Sequence, residues 1–291
     1  IGPDIDVPAG DLGVGQREIG YMFGQYKKIR NTYEAGVITG KGPEYGGSLG
    51  RTEATGYGTI YFLNEMLNDN GLQLKGSRVI VSGAGNVSIH AMEKAAQFGA
   101  KVVACSDTCG YIYNEDGLDV ATIKDIKLNK RGKIKDYLEH YPDTTYHDDC
   151  RGIWNVPCDV ALPCATQNEI DEEQAMQLIH NGVKAVAEGA NMPSTPKATK
   201  AFLEHGVLFG PAKATNAGGV AVSQLEMAQN SMRLKWTFEE VDERLQDIMK
   251  SIYKNCVDAT KQFDNATNLI QGANIAGFKK VADAMIAQGV L

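Results

Sequence analysis

The sequence predicts an α/β fold, a mostly parallel sheet with helices on both faces, and three observations carry that prediction. Short apolar runs of strand length alternate with stretches of helical periodicity. The run at 79–82 stops at Gly83 and gives way to an amphipathic stretch with Val87, Ala91, Ala95 and Phe98 on one face. The later runs each end in a cluster of small or polar residues, as expected beyond the carboxyl ends of parallel strands, where ligands bind in such sheets.

The chain opens at 1–11 on a segment that its prolines and glycines hold extended, and reads as the middle of a fold. Asp11 then precedes a helical run at 16–33; on spacing alone it is an acid favouring a helix start. The glycine-rich stretch 46–58 leads into a second helix to about residue 68, with a loop and cap as its plain reading. At 79–98 come strand, turn and helix. Gly83 supplies the turn, Gly85 lets the backbone approach a pyrophosphate, and the new helix offers N–H groups and a positive dipole end. The third position is Ser88, small enough for close packing; the pattern by itself is shared with ordinary βα turns. A strand at 101–105 ends at Ser106 and Asp107, where a ribose-recognising residue falls.

Next come 111–113, a basic helical region at 124–139, and strands at 158–162, 184–187 and 207–209, followed by the polar clusters 163–168, 188–191 and 211–216. From Gly218 the chain is helical, at about 220–234, 238–262 and 273–288.

Composition narrows the function. A chain of 291 residues has room for one large domain or two ordinary ones. A net charge of −7 and a pI near 5.3 argue against a nucleic-acid partner. No apolar run approaches the roughly 18 residues of a membrane helix, and no cleavable signal pattern opens the chain. Cys105, Cys109, Cys150, Cys158, Cys164 and Cys256 form no CxxC pair and read as reduced thiols of a cytoplasmic protein. The scattered histidines are read as surface or core residues, so no metal is expected.

Five blocks together resemble the hexameric glutamate dehydrogenases, within the family that also includes leucine, phenylalanine and valine dehydrogenases. They are Asp-Val-Pro-Ala-Gly-Asp-Leu-Gly-Val-Gly at 6–15, Gly-Gly-Ser-Leu-Gly-Arg-Thr-Glu-Ala-Thr-Gly-Tyr-Gly at 46–58, Pro-Cys-Ala-Thr-Gln-Asn at 163–168, Glu-Gly-Ala-Asn-Met-Pro at 188–193 and Asn-Ala-Gly-Gly-Val at 216–220. The resemblance implies a Rossmann-like cofactor domain at 46–267, remnants of a substrate domain at 1–45, and a C-terminal helix returning to that domain at 268–291. It gives Asp11 a role in proton transfer and puts the backbone at Gly10 beside the substrate. Ser223, with Val220 beside it, is assigned to the distal carboxylate of glutamate. Thr55 and Asn86 are assigned to the cofactor, with Arg51 and Val87 close by, Ala165 and Thr166 in their own block, and Asn191 and Asn216 orienting the nicotinamide.

The implied reaction is oxidative deamination of L-glutamate to 2-oxoglutarate and ammonia, and its reverse, in a homo-hexamer. NADP is the expected cofactor, with NAD possible: an NAD site usually carries an acid at the end of the second strand, where this chain has Ser106 with Asp107 one residue on. Successive residues leaving a strand point to opposite sides, so one of the pair faces the ribose. Ser-Asp-Thr also resembles NADP-using members, and the basic run Lys127, Lys130, Arg131 and Lys133 is either a counter-charge or a solvated helix face. The family's glycine-rich segment with its lysines has no counterpart here, so the chain is expected to be the C-terminal part of a longer enzyme and inactive alone. The alternatives are a cofactor-binding module without catalysis, or a dehydrogenase of a branched-chain or aromatic amino acid, whose side-chain pocket would be apolar where Ser223 is polar.

Overall fold

The computed structural model describes residues 1–11, 13–262 and 268–290. In chain order the helices are α1 (Gln16–Arg30), α2 (Ala54–Asp69), α3 (Asn86–Gln97), α4 (Val120–Lys124), α5 (Glu172–His180), α6 (Pro196–Glu204), α7 (Ala212–Thr215), α8 (Gly218–Met232), α9 (Phe238–Lys261) and α10 (Leu269–Gln288). The strands are β1 (Arg78–Ser82), β2 (Lys101–Asp107), β3 (Gly110–Tyr113), β4 (Thr145–His147), β5 (Val160–Pro163), β6 (Ala185–Ala187) and β7 (Leu208–Gly210). Packing divides the chain into two compact units, Ile1–Ala54 with Gly218–Ile248, and Thr55–Ala217 with Met249–Leu291. The division expected from the sequence ran instead at 45/46 and 267/268, so the packing unit built on the N-terminal segment also takes 46–54 and 218–248.

In the first unit, Ile19, Phe23 and Tyr26 recur at helical spacing on α1 and pack with Val37 and Ile38. The helix starts where the Glu18 carboxylate accepts from the Gly15 N–H at 2.9 Å. Lys27, Lys28 and Arg30 in its last turn favour the negative end of its dipole, and the left-handed Asn31 ends it. The opening segment is pinned by the Thr39 N–H donating to the Pro8 carbonyl at 3.0 Å.

The second unit is built on a sheet of seven strands among the described residues, in the order β4-β3-β2-β1-β5-β6-β7. β2, β1, β5, β6 and β7 are parallel, while β3 and β4 are antiparallel additions at one edge. The chain leaves β1 towards β2 on one side and returns to β5 on the other, which makes the carboxyl ends of β1 and β5 a topological switch point. The central strands are apolar along their middles because both faces are covered. Ile80, Val103, Ala161 and Val186 are buried with Trp154, Phe202 and Phe209 in one core. Helix α2 lies close against α3 because residue 56 is a glycine: a Cβ there would stand 2.5 Å from the Ala91 nitrogen.

The structure departs from the sequence reading in two places. The basic region at 124–139 is not one helix. α4 ends at Lys124, a π-helical turn covers Asp125–Asn129, Arg131 is left-handed (φ 54°), and a 3-10 segment covers Ile134–Glu139. The break follows from Asp107, whose carboxylate accepts from the Ile134 N–H at 2.9 Å and from Lys127 at 3.1 Å, drawing the chain to the end of β2. The second departure is the edge strand β4, too short to carry a periodicity, with His147 stacked on Tyr111 at 4.6 Å. No described helix is long and apolar enough to cross a membrane.

Candidate functional site

At the switch point of the second unit, a cleft of about 530 Å³ opens between the turns that follow β1, β2 and β5. Gly83 leaves β1 with φ 83°, a conformation that favours glycine, and a Cβ on it would lie 3.0 Å from that of Ala165. Its N–H donates to the Ser106 hydroxyl at 3.0 Å, which ties the first turn to the end of β2. Gly85 is the N-cap of α3 and brings no side chain of its own to cap that helix. A bare helix start behind a glycine turn is an anion seat. The geometry thus fits the pyrophosphate of a dinucleotide, and a side chain at Gly83 would fill part of the same space.

Asp107 lines this cleft, but its charge is occupied. One carboxylate oxygen accepts from the Cys109 N–H at 2.8 Å; the other accepts from Ile134 N–H and Lys127 Nζ. Burial alone would raise its pKa, but these donors outweigh that and hold the carboxyl below the usual aspartate range. Lys127 also donates to the Gly132 carbonyl at 2.9 Å.

Across the cleft, Glu169 collects three donors on one oxygen: the Ser82 hydroxyl at 2.9 Å and the N–H groups of Ala165 at 3.2 Å and Thr166 at 3.4 Å. The Ser82 hydroxyl in turn accepts from the Cys164 N–H at 2.9 Å. Burial nevertheless pushes the Glu169 carboxyl up to about 7, with the charge of Glu188 adding to the rise. Glu188, 5% exposed at the end of β6, accepts from the N–H groups of Ser194 and Ala212 at 3.1 and 2.8 Å, and burial raises it too. Beyond it the Asn216 amide donates to Asn191 Oδ1 at 2.8 Å, joining the ends that follow β6 and β7.

The first unit holds a separate polar group. Arg51 Nε donates to the Ser223 hydroxyl at 2.9 Å. One turn along α8 from Ser223, Glu226 pairs with Lys41 at 2.6 Å, both side chains fully buried. Glu226 also accepts from the Gly40 N–H at 3.0 Å, and Lys41 donates to the Ile38 carbonyl. Burial lowers the pKa of both Lys41 and Arg51, and Glu226 is the carboxylate that opposes the shift in each. Two cations share one carboxylate, so the cluster carries an excess positive charge beside a hydroxyl.

The sequence profile of the glutamate/leucine/phenylalanine/valine dehydrogenase family matches residues 46–289. The chain belongs to this family. It is 56% identical to the NAD(P)-specific glutamate dehydrogenase of Xylanibacter ruminicola, covering 100% of this chain and 65% of that protein. It is 55% identical to the NADP-specific glutamate dehydrogenase of Salmonella typhimurium strain LT2, again over 100% of this chain and 65% of the relative. Among solved structures, Plasmodium falciparum glutamate dehydrogenase superposes with a TM-score of 0.96 at 47% identity, over 100% of this chain and 63% of that one. The chain thus spans about 65% of the length of the curated relatives it matches.

In this family member, the structure brings Gly83, Gly85, Ser106, Asp107, Ala165 and Thr166 to one cleft, with Asn86 and Val87 opening α3 at its rim. Asn191 and Asn216 form their own pair, and Thr55 stands in the first turn of α2. Arg51, grouped with the cofactor on the sequence, bonds Ser223, the residue that the resemblance assigned to the substrate. Gly10 packs where a Cβ would meet the Val14 carbonyl at 2.7 Å, Asp11 is exposed, and Val220 is 70% exposed one turn before Ser223. Sequence reasoning missed Glu169, Lys41 and Glu226. Glu169 directly follows a block that had been singled out, so the signal lay one residue away. The Lys41–Glu226 pair spans 185 residues and left no local trace.

Proposed function

We propose that this chain carries the cofactor cleft and part of the substrate pocket of an NADP-dependent glutamate dehydrogenase, interconverting L-glutamate with 2-oxoglutarate and ammonia. The observation that carries the choice of substrate is the Arg51–Ser223 bond above the Lys41–Glu226 pair. Leucine, valine and phenylalanine have apolar side chains, which would leave the excess positive charge unneutralised and the Ser223 proton without an acceptor. A carboxylate matches both, because the excess cation neutralises it and the hydroxyl donates to it.

A nicotinamide dinucleotide held in the cleft would supply the hydride-transfer chemistry that the α-carbon of the substrate requires. This chain's residues do the rest. The α3 start and the Gly83 turn hold the pyrophosphate, and Asn191 and Asn216 orient the ring amide through their shared hydrogen bond. Asp11 carries protons between amine, imine and water, in the manner of a general acid and base. Asp107, clamped by Lys127 and two N–H groups, no longer presents a full charge to a 2′-phosphate, which supports NADP over NAD. The six cysteines are unpaired thiols, in keeping with a cytoplasmic setting, and the family resemblance supports a homo-hexamer.

Steady-state kinetics of the intact protein test the substrate assignment. L-Glutamate should exceed L-leucine, L-valine and L-phenylalanine in kcat/KM by 100-fold or more, on the order of what a matched polar partner confers. Arg51→Met should remove most of that preference. A branched-chain or aromatic substrate turned over as well as glutamate would overturn the reading.

A further inference from the structure

Glu169 is an acid placed against the seat of an anion. Its carboxylate accepts from Ser82, the residue before the Gly83 turn, and from the two N–H groups of the turn after β5. All three donors use the same oxygen; the other accepts no bond among the described residues, and the side chain lines the cleft. Ala165, whose N–H it holds, is the residue a Cβ on Gly83 would meet at 3.0 Å. A pyrophosphate resting on that turn brings its negative charge next to a half-buried carboxylate. Like charges that close favour the neutral form of the acid.

We propose that Glu169 is the group through which dinucleotide binding takes up a proton: the carboxylate collects one from solvent as the pyrophosphate settles on the Gly83 turn. The proposal rests on the cleft being the cofactor site. No bond to the cofactor forms. The proton adds to the carboxylate, cancels one negative charge, and leaves the donors to Glu169 in place on an oxygen that still accepts.

The other ionisable groups around the cleft do not account for the uptake. Asp107 is held ionised by its clamp, and Lys127 and Arg151 are cations paired with Asp107 and Asp171. Burial raises the Cys164 thiol, keeping it protonated. Glu188 is the other acid near Glu169, but each of its oxygens already accepts from a backbone N–H, of Ser194 and of Ala212.

Since burial sets Glu169 near 7 in the free protein, about nine-tenths of it is ionised at pH 8 and about one-tenth at pH 6. Binding then raises its pKa, so uptake is largest above pH 7. Affinity must fall as pH rises, by up to about tenfold per unit while the free form is ionised and the bound form is not.

The test is calorimetric titration of residues 1–291 with NADH at pH 6 and pH 8, in two buffers of different ionisation enthalpy. NADH is chosen because the 2′-phosphate of NADPH would titrate in the same range. The expected result is uptake of more than about half a proton at pH 8 and little at pH 6. In Glu169→Gln, which keeps an acceptor oxygen, uptake at pH 8 disappears and affinity becomes flat between the two pH values. Binding without uptake in the parent chain overturns the proposal, as does uptake that persists in Glu169→Gln and vanishes in Glu188→Gln. Absence of binding at either pH removes the cofactor reading itself, and the proposal with it.

Discussion

At the end of β2, Asp107 would by its position repel a 2′-phosphate, yet its neighbours change what it can do. A bare carboxylate about 5 Å from a unit of phosphate charge costs on the order of 3 kcal/mol at an effective dielectric of about 20. Here the Lys127 ammonium and the N–H groups of Cys109 and Ile134 absorb that charge. Lys127→Glu removes the counter-charge and adds a second acid, so the dissociation constant for NADPH should rise by at least about tenfold while that for NADH changes several-fold less, the 2′-phosphate being the only difference between them. Fluorescence titration with both cofactors measures it. Equal weakening of the two would mean that Lys127 only holds the 124–139 segment in place. The role of Asp107 was half legible in the sequence, where its position was read but its clamp was not. The donors come from residues 2, 20 and 27 positions further on, through a segment expected to be plain helix.

At the scale of elements, the glycines place the helices. α2 meets α3 at Gly56, where a Cβ would come within 2.5 Å of the Ala91 nitrogen and 2.6 Å of the Val87 carbonyl. Backbone on both sides leaves no flexible side chain to give way, so Gly56→Ala should cost roughly 1–3 kcal/mol and lower Tm by several degrees. Thermal unfolding followed by circular dichroism checks it, and an unchanged Tm would show that the two helices can part without cost. The parallel strands were legible because strands covered on both faces are continuous apolar runs, as at 79–82 and 160–162. The glycine turn was legible for a related reason, since Gly83 alone suits φ 83° there. What stayed hidden depends on tertiary partners: the antiparallel edge strand β4, the break at Arg131, and the buried Lys41–Glu226 pair. Neither partner of that pair stands in a local pattern that announces burial.

For the molecule as a whole, the proposed chemistry divides between the two packing units. The first presents an excess cation and a hydroxyl suited to a carboxylate; the second presents a cleft at the switch point of a parallel sheet, suited to a dinucleotide. Family membership rests on the match over 46–289, and the chain's share of about 65% of its relatives' length leaves turnover to be tested on the intact protein. As proposed, cofactor binding draws on the second unit's own groups. The most direct test of the account is therefore the dissociation constants of residues 1–291 for NADPH and NADH, measured side by side at fixed pH and salt. Both should bind saturably, with NADPH tighter by more than about twofold, roughly 0.4 kcal/mol or more. No saturable binding at millimolar cofactor, or tighter binding of NADH, would contradict it.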